Sequence, residues 1–553
     1  MSGEKGLLRA PPFPGLHDVA APPEMPDQGA LALGERAALF AAMREARVGG
    51  AFWAEPIDRH ALAIHALAPT VLRGQSDAEL AALQTRCGNE AVLALGAGDD
   101  GIDPWSVLTK ARRLIAHGAD EWIALACVIG LPVEVLSPGR FGEPGDSAKV
   151  LAERAAYALS QPMHDPFSRR WIGPWEAIAV LAEWRRVIDA NRGSPGERIV
   201  AACGISWWKR AEIRQFLWSP GKPVRIFASI RRALAAARAE GGALAVWPSR
   251  ISPNLITKAK RAGVALVRVE DGFVRSVGLG SNLVPPLSVI VDRRGIHFDP
   301  QQPSDLEHIL GHGNFPPALL DRAARLRTAI IAAGISKYAS APPHGARRNR
   351  SAGARRMVLV PGQVEDDMSV IAGGGGIASN LELLRRTRAI EPEAEIWWRP
   401  HPDVDAGHRN GAIADAAALE HADRIVRRGS MADLLDAVDG VHVLTSLAGF
   451  EALLRGRDVT CHGTPFYAGW GLTRDLGAVP ARRGRPLTLD QLVAGVLLLY
   501  PRYLDPVTAL SCPPEVLVQR MAAGEMPNRL GWVGPVRRAQ GRMMALLRRK
   551  GRR

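Results

Sequence analysis

Short apolar runs bounded by glycine or proline recur from about residue 193, and they constrain the fold more than any other feature. In the first half of this region the runs occupy residues 199–204, 224–230, 243–247, 264–269 and 288–291. A helix-like stretch, residues 231–240, lies between two of them. Runs of this length, separated by helical segments, are typical of strands alternating with helices. The pattern predicts a Rossmann-like α/β domain over residues 193–342.

The same alternation resumes further along the chain. Predicted strands occupy residues 357–360, 395–398, 423–426, 441–444 and 459–461. Predicted helices occupy residues 376–390, 431–437 and 447–455. This pattern predicts a second Rossmann-like domain over residues 357–515. Two such domains would face each other across a cleft, with ligands at the carboxyl ends of their parallel strands.

The first part of the chain is less regular. Residues 1–28 are rich in proline and glycine, which predicts a disordered N-terminus. Residues 103–142 then repeat the strand–helix–glycine order of residues 432–469. This predicts a degenerate Rossmann-like segment over residues 29–192; the alternative is two unrelated α/β segments that share a common pattern.

An alignment of Gly130 with Gly456 sharpens the possible repeat. It puts Leu125 opposite Glu451 and Asp120 opposite Ser446. The polar residues of the later copy are therefore missing from the earlier one, which predicts that the earlier copy carries out no chemistry.

The formal charge of +14 is concentrated in two short segments. Residues 536–553 hold eight Lys and Arg without an acid, and residues 346–356 hold five, which together account for 13 of the 14 charges. The near-neutral remainder argues against nucleic-acid binding by the folded body. Residues 343–356 are predicted to be a flexible basic linker. The C-terminal basic tail, residues 516–553, either contacts anionic lipid as a short amphipathic segment or stays solvated; both interpretations remain open.

Cysteine usage and hydropathy predict a cytoplasmic protein. The chain has five cysteines far apart and no CxxC pair, which argues against a disulfide framework or a structural zinc site. The longest uncharged apolar runs, residues 122–133 and 491–501, are shorter than the roughly 20 residues that span a bilayer. A soluble or peripheral protein is expected.

Two carboxylates end the apolar run at residues 264–269. Glu270 and Asp271 precede Gly272, and Arg275 follows four residues after Asp271. A carboxylate at a strand end could act as a nucleophile or a general base. A polar turn that ends the strand is the alternative.

Further polar strings follow two predicted strands of the second domain. Arg399 and His401 stand among prolines after residues 395–398, and Thr445 and Ser446 begin a helix that contains Glu451. A rigid histidine, an arginine and a helix N-terminus can all bind phosphate. The alternatives are a structural turn and an ordinary helix cap.

Gln363 opens the second domain in the string Pro361-Gly362-Gln363, and a glycine run at residues 373–376 precedes a helix. The run does not match a P-loop. The neighbouring acids Glu365, Asp366 and Asp367 are better explained as a solvated turn than as metal ligands. No convincing metal site is visible, so none is predicted.

Six strings in a fixed order resemble a known family over residues 199–506. They are Val269 to Gly280 (VEDGFVRSVGLG), Pro285 to Ser288 (PPLS), Pro361 to Asp367 (PGQVEDD), Arg399 to Val404 (RPHPDV), Thr445 to Gly456 (TSLAGFEALLRG) and Pro465 to Thr473 (PFYAGWGLT). The chain closely resembles the KpsC/LipB family of capsular polysaccharide proteins, the retaining β-Kdo transferases of Gram-negative bacteria.

The resemblance implies a GT-B fold, with CMP-β-Kdo as donor and no cofactor or metal. It implies a Kdo-bearing, phosphatidylglycerol-type lipid as acceptor. The enzyme would then work at the inner face of the inner membrane, and its basic tail would attach it peripherally. Because only one complete transferase module is visible, the chain would add a single Kdo or would need a partner Kdo transferase to alternate the linkages.

The resemblance also suggests residue roles. It makes Asp271 the nucleophile of a double displacement and Glu270 its acidic partner. His401 and Ser446, beside Thr445, would hold the CMP phosphate, and Glu451 the ribose. Contact with the Kdo carboxylate or the phosphate would come from three residues, Arg275, Gln363 and Arg399.

The sequence also departs from the family pattern. Only one complete transferase module is visible, Pro248 follows Trp247 where glycine is expected, and Arg399 replaces a more usual lysine. Two alternative functions therefore stay open. One is a transferase that uses another CMP-activated nonulosonate, such as a sialic acid. The other is a non-catalytic scaffold for capsule assembly or export.

Overall fold

The computed structural model describes most of the chain. The described residues are 6–16, 33–57, 68–96, 101–276, 283–336, 339–340, 353, 355–377, 379–407 and 409–527. Two compact units emerge, Met1–Gly193 with Trp218–Pro223, and Ser194–Leu217 with Val224–Arg553. Gly278, Gly280, almost all of the predicted basic linker and residues 528–553 of the tail lie outside the described residues.

The first unit contains a four-stranded parallel sheet in the order β2-β1-β3-β4. The strands are β1 Thr70–Gly74, β2 Val92–Gly96, β3 Arg113–Ala116 and β4 Val133–Val135. The helices are Leu33–Ala46, Asp77–Cys87, Pro104–Leu108, Trp122–Ile129, Ala148–Ser160 and Pro174–Arg192. A hairpin of β5 Met163–Asp165 and β6 Arg170–Ile172 precedes the last helix. The predicted α/β character of this segment is confirmed.

The prediction of a disordered N-terminus is wrong for residues 6–16. Leu7, Leu8 and Phe13 are buried, and the Phe13 ring lies 5.3 Å from that of Trp184 and 4.4 Å from that of Trp218. Proline and glycine content argues against regular structure, but it does not prevent an irregular segment from placing apolar side chains in a core.

The second unit begins with a seven-stranded sheet in the order β21-β20-β11-β10-β9-β7-β8. The strands are β7 Ile199–Cys203, β8 Arg225–Phe227, β9 Ala243–Val246, β10 Leu266–Asp271, β11 Ser288–Asp292, β20 Pro501–Leu504 and β21 Ser511–Cys512. Strands β7 to β10 are parallel, whereas β11, β20 and β21 add antiparallel pairings.

Helices and short turns surround this sheet. The helices are Arg210–Phe216, Ile230–Ala239, Pro253–Arg261, Asp305–His312, Pro317–Ala332, Leu489–Val493 and Pro514–Ala523. The single turns are Trp207–Lys209, Pro248–Arg250 and the π-helical Ala494–Leu499. A small hairpin pairs β12 Ile335–Ser336 with β13 Ala339–Ser340.

The six-stranded sheet of the same unit is parallel throughout, in the order β16-β15-β14-β17-β18-β19. Its strands are β14 Met357–Pro361, β15 Glu395–Arg399, β16 Arg424–Ile425, β17 Gly440–Val443, β18 Asp458–Cys461 and β19 Arg474–Asp475. The helices are Met368–Gly373, Asn380–Ile390, Pro402–Asp405, Asp415–Leu419, Met431–Ala437 and Leu447–Leu454, with a 3₁₀ turn at Ala481–Arg483. This is the dinucleotide-binding strand order, whose switch point lies between the first and fourth strands.

The predicted pair of Rossmann-like domains is confirmed, but one boundary is wrong. Residues 501–512 were assigned to the second domain, and the structure places them as β20 and β21 in the sheet of the first. The chain has returned to the first domain by helix Leu489–Val493, which packs against helix Pro317–Ala332. A local pattern predicts a strand but not its partner, because hydrogen-bond pairing joins segments far apart in sequence.

A buried ion pair joins the two domains of this unit. The Arg483 guanidinium donates to Glu307 Oε1 at 2.6 Å and to the Pro465 carbonyl at 2.6 Å. Glu307 lies on helix Asp305–His312, whereas Arg483 and Pro465 follow β19 and β18. Loss of Glu307 would leave the buried Arg483 guanidinium without its carboxylate partner, so the pair fixes how these segments meet.

No helix among the described residues is long and apolar enough to cross a membrane.

Candidate active site

A cavity of about 580 Å³ opens where the carboxyl ends of β10, β14, β15 and β17 meet. Eight of the nine predicted site residues line it: Glu270, Asp271, Gln363, Arg399, His401, Thr445, Ser446 and Glu451. Two of them come from the first Rossmann-like domain of the second unit and six from the second domain. The six lie at the switch point of the six-stranded sheet, where loops that turn opposite ways leave a crevice.

Asp271 ends β10 with its carboxylate held between two cations. Lys209 Nζ donates to Oδ1 at 2.9 Å, and Arg275 Nε lies 2.8 Å from Oδ2. The Asp271 side chain keeps 18% of its surface exposed, so it remains accessible from the cavity. Charge-assisted contacts at both oxygens orient the carboxylate and stabilise its negative charge.

Arg275 is the one predicted residue that does not line the cavity. Its side chain is fully buried behind Asp271, and its other guanidinium nitrogens donate to Ser276 Oγ at 2.8 Å and to the Val284 carbonyl at 2.9 Å. The sequence placed it at the sugar or the phosphate. In the structure its partner is the Asp271 carboxylate, because an i,i+4 spacing across the Gly272 turn brings the two side chains together.

Lys209 is a site residue that the sequence analysis missed. Its ammonium lies 3.6 Å from the centre of the Trp247 ring and 5.0 Å from that of Trp208. Burial lowers the pKa of Lys209, against the opposing effect of the nearby Asp271 and Glu270 carboxylates. The Trp207-Trp208-Lys209 string after the first strand was the available signal, since aromatic faces attract cations.

Gly272 explains why the two carboxylates are followed by glycine. Its backbone N–H donates to the Ser288 carbonyl at 2.9 Å, and a Cβ at this position would lie 2.2 Å from Ser288 Oγ. Only glycine allows β11 to pass so close. Glu270 Oε1 accepts from the Asp271 N–H at 3.0 Å, which restricts the Glu270 side chain to this edge of the cavity.

Gln363 and Thr445 bind each other across the switch point. Gln363 Nε2 donates to Thr445 Oγ1 at 2.9 Å, and the Thr445 N–H donates to Gln363 Oε1 at 2.8 Å. Asn380 Oδ1 accepts from the Gln363 N–H at 2.9 Å. The side-chain amide therefore ties the loop after β14 to the loop after β17, which positions Ser446 at the cavity.

His401 and Arg399 lie on the loop after β15. The Asp403 N–H donates to His401 Nδ1 at 3.2 Å, so a neutral His401 ring carries its proton on Nε2. The Arg399 guanidinium donates to the Val426 and Gly429 carbonyls at 3.0 and 3.1 Å. Burial lowers the pKa of Arg399, with a smaller opposing effect from Asp405.

Ser446 caps helix Leu447–Leu454 at the floor of the cavity. Its Oγ accepts from the Ala448 N–H at 3.2 Å, and Tyr467 Oη donates to its carbonyl at 2.5 Å. The buried Glu451 lies further along the same helix and also lines the cavity. Backbone N–H groups and the helix dipole at such a terminus favour an anion.

The string Pro465 to Thr473 supports this helix from behind. Tyr467 and Trp470 are fully buried, and Trp470 Nε1 donates to the Phe466 carbonyl at 2.9 Å. A Cβ on Gly449 would lie 2.2 Å from Tyr467 Oη, so the glycine lets the tyrosine approach. The string therefore fixes the helix N-terminus, and only Pro465 and Phe466 of this string line the cavity.

Among the described residues, no group of three or more His, Cys, Asp or Glu side chains is arranged to hold a metal ion. Glu365 and Asp366 lie in a turn, as predicted, and Asp366 and Asp367 are exposed. Glu365 Oε1 accepts from the Asn380 N–H, and Asp367 caps helix Met368–Gly373.

The cavity thus has two chemically distinct sides. An oriented carboxylate, Asp271, lies on the first domain, and the N-terminus of helix Leu447–Leu454 lies on the second with His401 at the same cavity. Such a pair can hold a phosphate leaving group opposite a nucleophile.

Comparison with known proteins points to one family. The profile of the family described as Capsule polysaccharide biosynthesis protein matches residues 242–503. The capsule polysaccharide modification protein LipA of Neisseria meningitidis serogroup A is 39% identical over 345 residues, which cover 62% of this chain and 48% of LipA. The lipopolysaccharide-processing protein LpsZ of Rhizobium meliloti is 44% identical over 252 residues, covering 44% of this chain and 56% of LpsZ.

A solved structure agrees. The β-Kdo 2,4 transferase of Thermosulfurimonas dismutans KpsC is 31% identical, with a TM-score of 0.50, and the match covers 59% of this chain and 98% of that one. This chain spans about half the length of the curated relatives it matches. The matched region contains the whole cavity described above, and the chain belongs to the KpsC/LipB-type capsule polysaccharide proteins.

Proposed function

We propose that this chain is a retaining glycosyltransferase that moves Kdo from CMP-β-Kdo to a lipid-linked acceptor in capsule biosynthesis. One observation carries the proposal: Asp271, oriented by two cations, shares a cavity with the N-terminus of helix Leu447–Leu454 and with His401. The similarity to a KpsC β-Kdo transferase supports the choice of sugar.

The reaction proceeds in two displacements. An Asp271 oxygen attacks the anomeric carbon of Kdo, a bond forms between them, and the bond from that carbon to the CMP phosphate oxygen breaks. CMP leaves with the electron pair. An acceptor hydroxyl then attacks the same carbon, its proton passes to a base, and the Asp271 carboxylate is released. Two inversions give net retention.

The second domain stabilises the leaving group. Negative charge grows on the CMP phosphate as its bond to the sugar breaks, and preorganised donors at that point lower the barrier. The Ser446 hydroxyl, the N–H groups that begin helix Leu447–Leu454 and the His401 Nε2 proton supply them. Glu451 accepts from ribose hydroxyls, and Arg399 stabilises the phosphate or the Kdo carboxylate.

The cations around Asp271 act as positioning residues. Lys209 and Arg275 hold its carboxylate in one orientation before the donor arrives, which reduces the reorganisation needed at the moment of attack. Glu270, at the same strand end, is the acidic partner and receives the acceptor proton in the second displacement. No metal or other cofactor is part of the proposal.

The acceptor is a Kdo-bearing lipid of the phosphatidylglycerol type, reached at the inner face of the inner membrane. A partner Kdo transferase that extends or alternates the linkages is part of the proposal. In this proposal the protein is cytoplasmic and peripheral, and its basic tail aids attachment.

The test is transfer from CMP-Kdo to a synthetic Kdo-lipid acceptor by the purified chain, with mass spectrometry of the enzyme after incubation with donor alone. A product of retained configuration and a Kdo adduct on Asp271 are expected. CMP-sialic acid is the matched competing donor. Faster transfer from it would replace Kdo as the substrate, and no transfer from either donor would favour the scaffold alternative.

A further inference from the structure

Two neighbouring helices of the second unit present a basic outer surface. Helices Ile230–Ala239 and Pro253–Arg261 pack on the same face of the seven-stranded sheet through residues that include Ala233, Ala237 and Leu255. Their outer side carries six exposed cations, which we call the basic helical face: Arg231, Arg232, Arg238, Lys258, Lys260 and Arg261.

The face is uncompensated. Neither helix contains an acidic residue, and none of the six cations has an ion-pair partner among the described residues. Glu240, the first residue after helix Ile230–Ala239, pairs with Arg225, which is not one of the six. The net charge does not reveal this basic surface, because the linker and the tail account for most of the excess charge and the rest of the chain is nearly neutral.

Helix stability alone does not account for these positions. Lys258, Lys260 and Arg261 lie in the last turn of their helix, where cations interact favourably with the helix dipole. Arg231 and Arg232 lie in the first turn of theirs, where positive charge is unfavourable. Because these two cations do not stabilise their helix, we attribute them to binding of an anionic partner.

An apolar groove lies within the face. Leu234, Ala235, Ala239 and Ala262 line a groove of about 530 Å³, with Arg231 and Arg238 among the lining residues. Ile256, on the second helix, is 48% exposed. Apolar groups flanked by cations suit a surface that offers both acyl chains and phosphates.

We propose that the basic helical face docks on an anionic phospholipid bilayer. Its cations would contact lipid phosphates, and the groove with Ile256 would enter the boundary of the acyl region. Charge complementarity carries this choice, together with the apolar groove, which a soluble polyanion would leave unused. The inference extends the proposed function, since a docked first domain would meet a lipid-linked acceptor at the membrane.

The face connects to the active site along the chain. Strand β9 leads into the turn Pro248–Arg250, whose Ser249 lines the cavity, and the helix Pro253–Arg261 follows directly. A bilayer held against this helix would therefore contact the same domain that carries Asp271, on the outer side of its sheet.

The test is co-sedimentation of the full-length protein with vesicles, in the absence of donor. Vesicles of phosphatidylcholine alone are compared with vesicles containing 25% phosphatidylglycerol. The variant R231Q/R238Q/K258Q/K260Q removes four charges from the face. The matched control K110Q/R112Q/K149Q/R170Q removes four exposed cations from the first unit. The tail is identical in all three proteins.

The wild type and the control are expected to bind the anionic vesicles equally, and the face variant at least tenfold more weakly, because each cation near such a surface strengthens binding about fivefold. Equal binding by the face variant would overturn the proposal, as would equal loss in the control or equal binding to neutral vesicles. A soluble Kdo acceptor separates this outcome from the proposed function, since the face variant should still use it at the wild-type rate.

Discussion

Helices Trp122–Ile129 and Leu447–Leu454 occupy the same place in two similar sheets, yet only the second lines the candidate active-site cavity. Both follow a strand next to the first strand of a parallel sheet, β3 beside β1 and β17 beside β14. Both are capped by a side chain that accepts from the N–H two residues on, Asp120 for Trp122 and Ser446 for Ala448.

The helix ends also correspond. Gly130 and Gly456 both have positive φ, and the next N–H donates to the carbonyl five residues back in each case, Leu131 to Ala126 and Arg457 to Ala452. The alignment made from the sequence therefore describes equivalent positions at both ends of the helix.

The two helices differ in the residue that caps the N-terminus. Ser446 leaves the helix terminus neutral, whereas Asp120 places a carboxylate there, and Arg73 Nε pairs with it at 2.8 Å. Leu125, fully buried, stands where the second copy has Glu451. In the first unit, the Asp120 carboxylate at the strand end therefore binds Arg73 of the same unit. A Rossmann-like frame alone is therefore insufficient for a site; polar residues must also line a cavity at the strand ends, as Ser446 and Glu451 do.

The largest expected effect separates the two units by activity. The substitution Asp271→Asn keeps the shape of the side chain but removes its charge, so we expect transfer to fall at least about a thousandfold. No Kdo adduct should appear by mass spectrometry. The matched change Asp120→Asn should leave the transfer rate within twofold of wild type; a large loss there would show that the first unit takes part in the chemistry.

Exchanging the buried residues of the two helices gives the next effect. Glu451→Leu should weaken donor binding roughly tenfold to a hundredfold, since a hydrogen bond to a charged group contributes about 1.5–3 kcal/mol. The reverse change, Leu125→Glu, buries a carboxylate without a designed partner and should lower the melting temperature of the protein without altering the donor KM. Calorimetric titration with CMP and thermal unfolding measure the two outcomes. Equal CMP affinity in Glu451→Leu would remove Glu451 from the ribose site.

Replacing Ser446 with aspartate, the capping residue of the first unit, tests whether the N-terminus of helix Leu447–Leu454 binds the CMP phosphate. Ser446→Asp preserves a good helix cap, so the melting temperature should hold. The new carboxylate should repel the CMP phosphate and weaken CMP binding about tenfold, less at high salt because the repulsion is screened. Asp120→Ser is the control, with CMP binding unchanged. CMP affinity equal to wild type in Ser446→Asp would place the phosphate elsewhere.

The smallest effect on transfer concerns a pair of histidines present only in the second sheet. His442 Nδ1 and His462 Nε2 lie 3.0 Å apart on β17 and just after β18, and Leu136 occupies the position of His462 in the first unit. Burial lowers the pKa of each histidine to about 4. The folded pKa lies below the unfolded value of about 6.5, so stability should be lost as pH falls from 6.5 towards 4.

Chemical denaturation at pH 7.5 and at pH 4.5 would measure this loss. His462→Leu should reduce the difference between the two midpoints and leave the transfer rate at pH 7.5 unchanged, since neither histidine lines the cavity. A midpoint difference as large as that of the wild type would show that other groups control the acid sensitivity.

Much of the site could be predicted because its residues follow strands. Glu270, His401 and Ser446 stand directly after apolar runs, and parallel strands of one sheet end at a common edge, so a linear pattern already indicated their meeting. Arg275 could not be placed in the same way. Its spacing from Asp271 was visible, but whether its guanidinium faced ligand or carboxylate depended on burial in the folded turn.

Lys209 shows the other limit. It is separated from Asp271 by 62 residues, and no local pattern links the two. Their contact exists because β7 and β10 end at the same edge of one sheet, with Trp247 of a third strand end beside them.

The sequence by itself determined the alternation of strands and helices, the positions of the polar strings at strand ends and the absence of those strings from the first unit. These features are local, since they depend on side-chain periodicity and on the residues that end a strand or begin a helix. Only the tertiary structure decided that β20 and β21 return to the seven-stranded sheet, that Arg275 and Lys209 bind the Asp271 carboxylate, and that the six cations of two helices share one face. Each of these depends on pairing or burial between distant segments, which the whole fold must settle together.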